Sequence, residues 1–215
     1  MMSATPPGRF IVLDGPDGSG KSTQIGRLAG ALGLAGHEVV MTSEPGGTKT
    51  GNAIRELFLG NEHEGMTPLC ELFLICAARA QHVEQIIRPA LEAGEIVICD
   101  RFTPSTHAYQ AHAGSVNEAT ARDADAAARQ GSQPDLTIIV DVPAEVGLGR
   151  RLAVSDADRM ESKGLEFHEQ VRQGYLKYAE GAAEPCVVVD GQGDEDEVHE
   201  EILRHVMECL EGPVD

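Results

Sequence analysis

A chain of 215 residues with 41% hydrophobic side chains can bury one substantial core but is short for two, so we expect a single domain over residues 9–215. Its formal net charge of −18 argues against a nucleic-acid polymer as the main partner, because a strongly negative surface repels a polyanion. No stretch approaches the ~18 apolar residues of a membrane span, and residues 1–8 lack the features of a signal peptide. The sequence therefore indicates a cytoplasmic protein with a short disordered tail over residues 1–8.

Residues 15–22 read Gly-x-x-x-x-Gly-Lys-Ser between a predicted strand over 9–13 and a predicted helix over 23–34. The glycines let successive backbone N–H groups converge on phosphate oxygens, and the helix adds the positive end of its dipole. Lys21 would neutralise charge on the β- and γ-phosphates, and Ser22 would offer its hydroxyl to Mg²⁺. The alternative, a glycine-rich turn with an incidental lysine, is disfavoured by the flanking strand and helix.

A second strand is predicted over 37–42, and a loop with one proline and two glycines follows it over 43–48. In an open α/β sheet, ligands sit at the carboxyl ends of the strands. Glu44 could therefore hold substrate or a metal-bound water, or it could be a solvated loop acid. Arg55 lies off the apolar side of a short helix over 52–59, where a surface arginine is an equally simple reading.

The longest helical pattern runs from Pro68 to Gly94 and predicts one continuous helix. Phe73 belongs to its apolar stripe, so the periodicity favours a core position over a ligand platform. Arg79 lies about 120° around the helix from Phe73. Together they could grip a planar polar ring, although the spacing alone does not require it.

A buried strand over 95–100 ends in Asp100 and Arg101. A carboxylate at the end of such a strand commonly serves Mg²⁺, and the arginine can fork onto a phosphate. The alternative is an Asp–Arg ion pair that closes the strand. Further on, Arg150, Arg151 and Arg159 flank a polar segment over 150–162 that could fold over a nucleotide as a lid, or they could be surface arginines.

The rest of the chain completes an alternating pattern of strands and helices. Strands are predicted over 136–142 and 185–190, and helices over 146–152, over 167–179 and from 194 onward. Residues 114–133 are alanine-rich and charged, with a helical tendency. Five parallel strands alternating with helices predict a three-layer α/β fold with helices on both faces of the sheet.

Taken together, these motifs resemble the thymidylate kinase family over nearly the whole chain. The resemblance rests on the phosphate loop, on Glu-Pro-Gly-Gly-Thr at 44–48, on Phe73 with 78–82, on Asp-Arg-Phe at 100–102 with 105–110, and on Asp-Arg-x-Glu at 158–161. It implies the P-loop nucleoside monophosphate kinase fold. It also implies transfer of the γ-phosphoryl group of ATP to dTMP with Mg²⁺, and a homodimer.

The resemblance also implies roles for individual residues. Phe73 would stack on thymine, Arg79 would hydrogen-bond the ring, and Arg159 is the first choice for a lid finger on the phosphates. The implied catalytic residues are Lys21, Asp100, Arg101 and Arg159. The implied donor-binding residues are Gly15, Pro16, Asp17, Gly18, Ser19, Gly20, Lys21, Ser22, Thr23, Arg150 and Arg151. The implied substrate-binding residues are Asp17, Glu44, Arg55, Phe73, Arg79, Arg101, Ser105, Thr106, Tyr109 and Gln110, and the implied metal-binding residues are Ser22, Glu44 and Asp100.

Some members of the family carry an arginine inside the phosphate loop, whereas others keep glycine there and supply the cation from the lid. Gly18 together with the three lid arginines resembles the second arrangement. The chain departs from the common pattern at Ser43, at Asp14 and over 114–133. Two alternatives are another nucleoside monophosphate kinase of the same fold and a non-catalytic nucleotide-binding module.

Overall fold

Five parallel strands form one sheet in the computed structural model, which describes residues 8–153 and 157–212. The strands are β1 (Arg9–Asp14), β2 (Val39–Ser43), β3 (Ile96–Asp100), β4 (Leu136–Asp141) and β5 (Cys186–Asp190), and their order across the sheet is β2-β3-β1-β4-β5. In the central strand, Val12 is in register with Cys99 of β3 and with Thr137 of β4. Because all strands run the same way, their carboxyl ends meet at one edge, where the predicted site residues cluster.

The connections between strands are helical. The α-helices are α1 (Lys21–Leu34), α2 (Lys49–Leu59), α3 (Pro68–His82), α4 (Arg88–Glu92), α5 (Thr103–Thr106), α6 (Glu118–Arg129), α7 (Ala144–Leu152), α8 (Leu165–Gly181) and α9 (Glu195–Glu211). Two π-helical turns, Val83–Ile87 and His107–His112, and two 3₁₀ turns, Asn61–His63 and Glu161–Lys163, complete the set for the described part of the chain.

The sheet has a helical layer on each face, as predicted. Successive side chains of β1 point to opposite faces, so Ile11 and Leu13 pack with α1 and α9, whereas Phe10 and Val12 pack with the segment after α3. All four side chains are fully buried. A central parallel strand covered on both faces reads as a continuous apolar run, which explains why the pattern was visible in the sequence.

The prediction of one continuous helix from Pro68 to Gly94 is wrong in detail. The α-helix ends at His82, a π-helical turn follows, and α4 then ends at Glu92. Pro89 has no N–H group, so the regular hydrogen-bond pattern cannot run through it and the preceding turn widens. Gly94, at φ 84°, then redirects the chain into β3.

The alanine-rich, charged stretch over 114–133 contains a well-defined helix. Helix α6 begins after Asn117, whose side-chain oxygen accepts hydrogen bonds from the N–H groups of Ala119 (3.0 Å) and Thr120 (3.3 Å). Its buried side includes Ala121, Asp125 and Ala128. This helix packs against α3 and so reaches the candidate site from behind.

The expected tail and lid fall partly outside the described residues. Residues 1–7 of the tail and residues 154–156 of the lid are among those not described. Gly8 is described, and its N–H donates to the carbonyl oxygen of Leu91 at 3.0 Å. Within residues 8–153 and 157–212, every helix is too short or too polar to span a membrane.

The face of α1 that contacts the sheet gives a direct test of the core. Leu28 is fully buried there, whereas Leu34 of the same helix is 93% exposed. We expect Leu28→Ala to lower the free energy of unfolding by roughly 2–5 kcal/mol, because it removes buried apolar surface and leaves a cavity. Leu34→Ala, the matched control, should change it by about 0.5 kcal/mol or less. Urea denaturation measures both, and equal losses would contradict the packing described here.

Candidate active site

A cavity of about 740 Å³ opens at the carboxyl edge of the sheet. This volume is within the range of small-molecule sites. Its walls come from the loop after β1, from the segments after β2 and β3, from α2 and α3, and from residues on either side of the undescribed 154–156. The predicted site residues that line it are Asp17, Gly18, Ser19, Gly20, Lys21, Ser22, Thr23, Glu44, Arg55, Arg79, Asp100, Arg101, Ser105, Thr106, Tyr109, Gln110, Arg150 and Arg151.

The loop between β1 and α1 has a shape that only glycine permits at two positions. Gly15 has φ 139°, and a Cβ there would lie 2.3 Å from the carbonyl oxygen of Val140. Gly18 has φ 70°, and a Cβ there would lie 2.0 Å from the carbonyl oxygen of Gly147. Helix α1 begins directly after this loop, so its first N–H groups are available to an anion, as predicted.

Lys21 lies beneath the loop and contacts its backbone. Its Nζ donates hydrogen bonds to the carbonyl oxygens of Gly15 (2.9 Å) and Pro16 (2.7 Å). Burial lowers the pKa of Lys21 from its ordinary value, and the charge of Arg101 lowers it further, while Asp100 acts in the opposite direction. Gly15 and Pro16 do not belong to the described lining of the cavity, and their contact with the donor stays a prediction.

Arg101 projects from the end of β3 with a left-handed backbone at φ 71°. This conformation costs a non-glycine residue about 1–3 kcal/mol and is concentrated at functional sites. Its Nη1 donates to the hydroxyls of Ser105 (3.1 Å) and Tyr175 (2.9 Å), and its Nη2 donates to Asp17. Three side chains therefore hold the guanidinium at the cavity wall. The backbone of the residue adopts a conformation that is unusual outside glycine.

Asp17 shares this cluster and is held as an anion. Tyr109 donates its hydroxyl hydrogen to Oδ2 of Asp17 at 2.6 Å. Burial by itself would raise the pKa of Asp17, but the charges of Arg101 and Lys21 and the Tyr109 hydrogen bond lower it to about 2. Burial and the charge of Asp17 raise the pKa of Tyr109, so the phenol stays protonated as the donor.

Asp14, the last residue of β1, supports both the loop and the arginine. Its Oδ1 accepts from the N–H of Gly15 (2.9 Å) and from the hydroxyls of Ser105 and Tyr175 (2.8 Å each). Its Oδ2 accepts from the N–H groups of Phe102 and Ser105 (3.0 Å each). Sequence reasoning assigned no role to Asp14 or Tyr175, because no local spacing relates residues 161 positions apart.

Ser22 and Asp100 place two oxygen ligands side by side at the cavity. The Ser22 hydroxyl donates to Oδ2 of Asp100 at 3.2 Å, and Oδ1 of Asp100 is buried with no hydrogen-bond partner within the described ranges. An orphaned buried carboxylate oxygen beside a hydroxyl fits a hard cation such as Mg²⁺. The residues described do not include a cluster of three or more His, Cys, Asp or Glu side chains able to hold a metal, so phosphate and water oxygens would have to complete the shell.

Arg79 is almost fully buried on the opposite wall and is held on several sides. Its Nε donates to Oε2 of Glu44 at 2.7 Å, and its Nη1 donates to the Thr106 hydroxyl at 2.9 Å and to Asp125. His82 contacts the other oxygen of Glu44 at 2.9 Å. Both carboxylate oxygens of Glu44 are therefore engaged, Oε2 by Arg79 and Oε1 by His82, and its metal-binding role stays a prediction.

Asp125, which anchors Arg79 from behind, was missed by the sequence analysis. It lies on α6 and also accepts from Thr103 (3.1 Å) and Arg129 (2.8 Å). Its side chain is buried, and a buried carboxylate must be paired to be tolerated. The available signal was an acid on the otherwise alanine-rich side of α6, but nothing in the sequence related it to Arg79.

Phe73, which was predicted to stack on a base, does not line the cavity as described, and its stacking stays a prediction. Phe73 is 55% exposed and is not among the described residues that line the cavity. Phe58 and Ile75 provide the apolar walls instead. Ile75 is four residues before Arg79 and so shares its helix face, whereas Phe73 is six residues before it and faces elsewhere. Helical spacing could have identified Ile75.

Arg159, which was predicted to reach the phosphates, does not line the described cavity either. Its side chain is buried outside the described lining, where Nε donates to the carbonyl oxygen of Phe58 (2.8 Å) and Nη1 pairs with Glu71 (2.5 Å). Arg150 and Arg151 do line the cavity. The identity of a lid arginine near the phosphates could not come from spacing, because spacing does not fix the direction of a side chain in a loop.

The lowered pKa of Asp17 predicts a specific pH dependence of stability. We expect the free energy of unfolding of the wild type minus that of Asp17→Asn to be constant above about pH 5 and to fall by about 2 kcal/mol by about pH 2. The pKa of the Asp17 carboxyl is 3.8 in the unfolded chain and about 2 in the folded chain, so the unfolded chain takes up the proton first as the pH falls. Urea denaturation over the range from neutral pH down to about pH 2 measures this difference. A difference that does not change below pH 4 would contradict the assigned contacts.

Comparison with known proteins agrees with this geometry. The family model described as thymidylate kinase matches residues 13–202. A thymidylate kinase of Caulobacter vibrioides is 45% identical over 203 residues, covering 94% of this chain and 98% of the relative. A thymidylate kinase of Maridesulfovibrio salexigens is 40% identical, and the match covers 94% of this chain and 97% of the relative. A thymidylate kinase of Geobacter sp. strain M21 is 43% identical, and the match covers 94% of each chain. The chain therefore belongs to the thymidylate kinase family.

Proposed function

We propose that the chain transfers the γ-phosphoryl group of ATP to dTMP, forming ADP and dTDP. The observation that carries this proposal is that one cavity contains a phosphate loop on one side and a buried arginine beside two apolar side chains on the other. Such a site can hold a triphosphate and a pyrimidine monophosphate at once. Holding two reactants in one orientation accounts for much of the catalysis available to this reaction.

The donor would bind at the phosphate loop. The N–H groups of residues 18–23, the Lys21 ammonium and the guanidinium groups of Arg150 and Arg151 would contact its phosphates. Ser22 and Asp100 would hold Mg²⁺, which when bound neutralises charge on the transferring group. Arg150 donates to the carbonyl oxygen of Gly191 at 3.0 Å, which holds its guanidinium against the segment that follows β5.

The acceptor would bind across the cavity. Arg55 and Arg101 would hold its phosphate, and Asp17 with Tyr109 would contact the sugar. The ring would lie between Phe58 and Ile75, with its polar edge toward a group of hydrogen-bonding side chains: Arg79, Thr106 and Gln110. The second pKa of a phosphate monoester is about 6, so the acceptor is largely deprotonated near pH 7 and requires no strong general base.

A cytoplasmic homodimer is the proposed context. Leu69 and Phe73 are exposed one turn apart on α3, and Leu57 is exposed on the neighbouring α2. A second copy could cover these apolar side chains, which would also give Phe73 its role. The net charge of −18 disfavours nucleic-acid polymers as partners, because like charges repel.

An acceptor panel tests the function. With ATP and Mg²⁺, we expect ADP formation to depend on an added monophosphate and to be fastest with dTMP in a panel of dTMP, dUMP, UMP, CMP, AMP and GMP. Coupled-enzyme detection of ADP measures each rate. Preference for AMP or GMP would indicate another kinase of this fold. Thermal stabilisation by ATP but not by dTMP, with no turnover, would indicate a nucleotide-binding module.

Arg79→Lys tests the base-binding wall. The lysine keeps a positive charge between Glu44 and Asp125 but lacks the planar fork, so kcat/KM for dTMP should fall roughly 30- to 100-fold and KM for ATP should change about twofold at most. Arg88→Lys is the matched control, because Arg88 lies outside the cavity and pairs with Glu84. Similar kinetics for both variants would remove Arg79 from the acceptor site.

A further inference from the structure

Arg159 lies in a segment that contacts both the proposed acceptor wall, formed by α2 and α3, and the proposed donor wall at Arg151. Its neighbours in the chain, Asp158, Met160 and Glu161, all line the cavity, but the Arg159 side chain turns the other way and is 5% exposed. A buried guanidinium is tolerated only if it is paired and hydrogen-bonded. The groups that satisfy it therefore indicate what the residue does.

The side chain of Arg159 is bound to the acceptor wall. Its Nε donates to the carbonyl oxygen of Phe58, its Nη1 pairs with Glu71 at 2.5 Å, and its guanidinium lies 5.0 Å from the centre of the Phe58 ring. Its backbone N–H donates to the carbonyl oxygen of Leu59 at 3.2 Å. Glu71 precedes Ile75 by one turn of α3, so these contacts attach residue 159 to both helices that form the acceptor wall.

The turn that contains Arg159 holds the Glu161 side chain, and Glu161 contacts Arg151 on the proposed donor wall. Oδ1 of Asp158 accepts from the N–H groups of Met160 (2.8 Å) and Glu161 (2.9 Å), and the N–H of Asp158 donates to Oε2 of Glu161 at 3.0 Å. Oε1 of Glu161 pairs with Nε of Arg151 at 2.5 Å. Glu161 is buried, so its orientation depends on this turn.

We propose that Arg159 is a positioning residue that fixes Glu161 and, through Glu161, the guanidinium of Arg151 at the donor phosphates. This inference rests on the proposed function, because it assigns Arg151 to the donor. Arg159 does not itself touch a substrate. Lys163 also pairs with the Glu71 carboxylate, at 3.3 Å, so two residues of this segment are attached to α3.

A double-mutant cycle on kcat tests this inference. Arg151→Met should lower kcat roughly 100-fold by removing a cation from the transferring group, and Arg159→Met should lower it roughly 10- to 100-fold by misplacing that cation. If Arg159 acts through Arg151, the double variant should be within about twofold of Arg151→Met alone. The proposal would be overturned if the fold losses in kcat of the two single variants multiplied in the double variant. It would also be overturned if a folded Arg159→Met had the kcat of the wild type.

Two further variants separate positioning from stability. Arg9→Met removes another buried arginine, which pairs with Asp135 at 3.0 Å at the opposite edge of the sheet, and it should lower the thermal midpoint while kcat stays within about twofold. If Arg159→Met does not fold, Glu71→Gln replaces it in the cycle, since it removes the charge and keeps the shape. A wild type without dTMP-dependent ADP formation would refute the proposed function, whereas an active wild type with multiplying losses would refute only this inference.

Discussion

The buried carboxylate of Asp14 is the interaction on which the site depends. An anion without solvent contact is costly unless donors surround it, and Asp14 is satisfied by three backbone N–H groups and two hydroxyls. Those donors belong to the start of the phosphate loop, to the turn after β3 and to Tyr175 on α8. A single charge thus ties the proposed donor side and the proposed acceptor arginine to the same point of the sheet.

Cationic side chains gather at the site of a strongly acidic chain. Lys21, Arg55, Arg79, Arg101, Arg150 and Arg151 all line one cavity although the net charge is −18, and six acidic side chains share its described lining. Short-range contacts decide the affinity for a small anion, because charges more than a Debye length away are largely screened. Asp17 pairs with Arg101 and so offsets part of this positive charge. The arrangement suits ligands that carry their own negative charge into a confined space.

Local signals in the sequence predicted most of the fold. The run ahead of Gly15, the glycines of the loop and the apolar period of α1 specify strand, loop and helix within thirty residues, so their outcome needed no distant contact. The π-helical turn before Pro89 was not foreseen because the apolar period continues through it. Strand order was equally inaccessible, since it depends on which buried faces meet across the sheet.

The candidate site was predicted unevenly for the same reason. Residues on strand ends and residues 17–23 of the phosphate loop line one cavity, because parallel strands bring their carboxyl ends together. Side-chain direction could not be read from the sequence: Phe73 and Arg159 lie outside the described lining, whereas Ile75 belongs to it. Asp125 and Tyr175 were missed because their contacts cross the chain.

The close fit between Gly18 and the backbone of Gly147 limits which substitutions the phosphate loop accepts. A Cβ at position 18 would lie 2.0 Å from the carbonyl oxygen of Gly147 in α7. An arginine could enter the loop at this position only if α7 moved away, so the tolerance of the loop to mutation depends on a helix that is distant in the sequence.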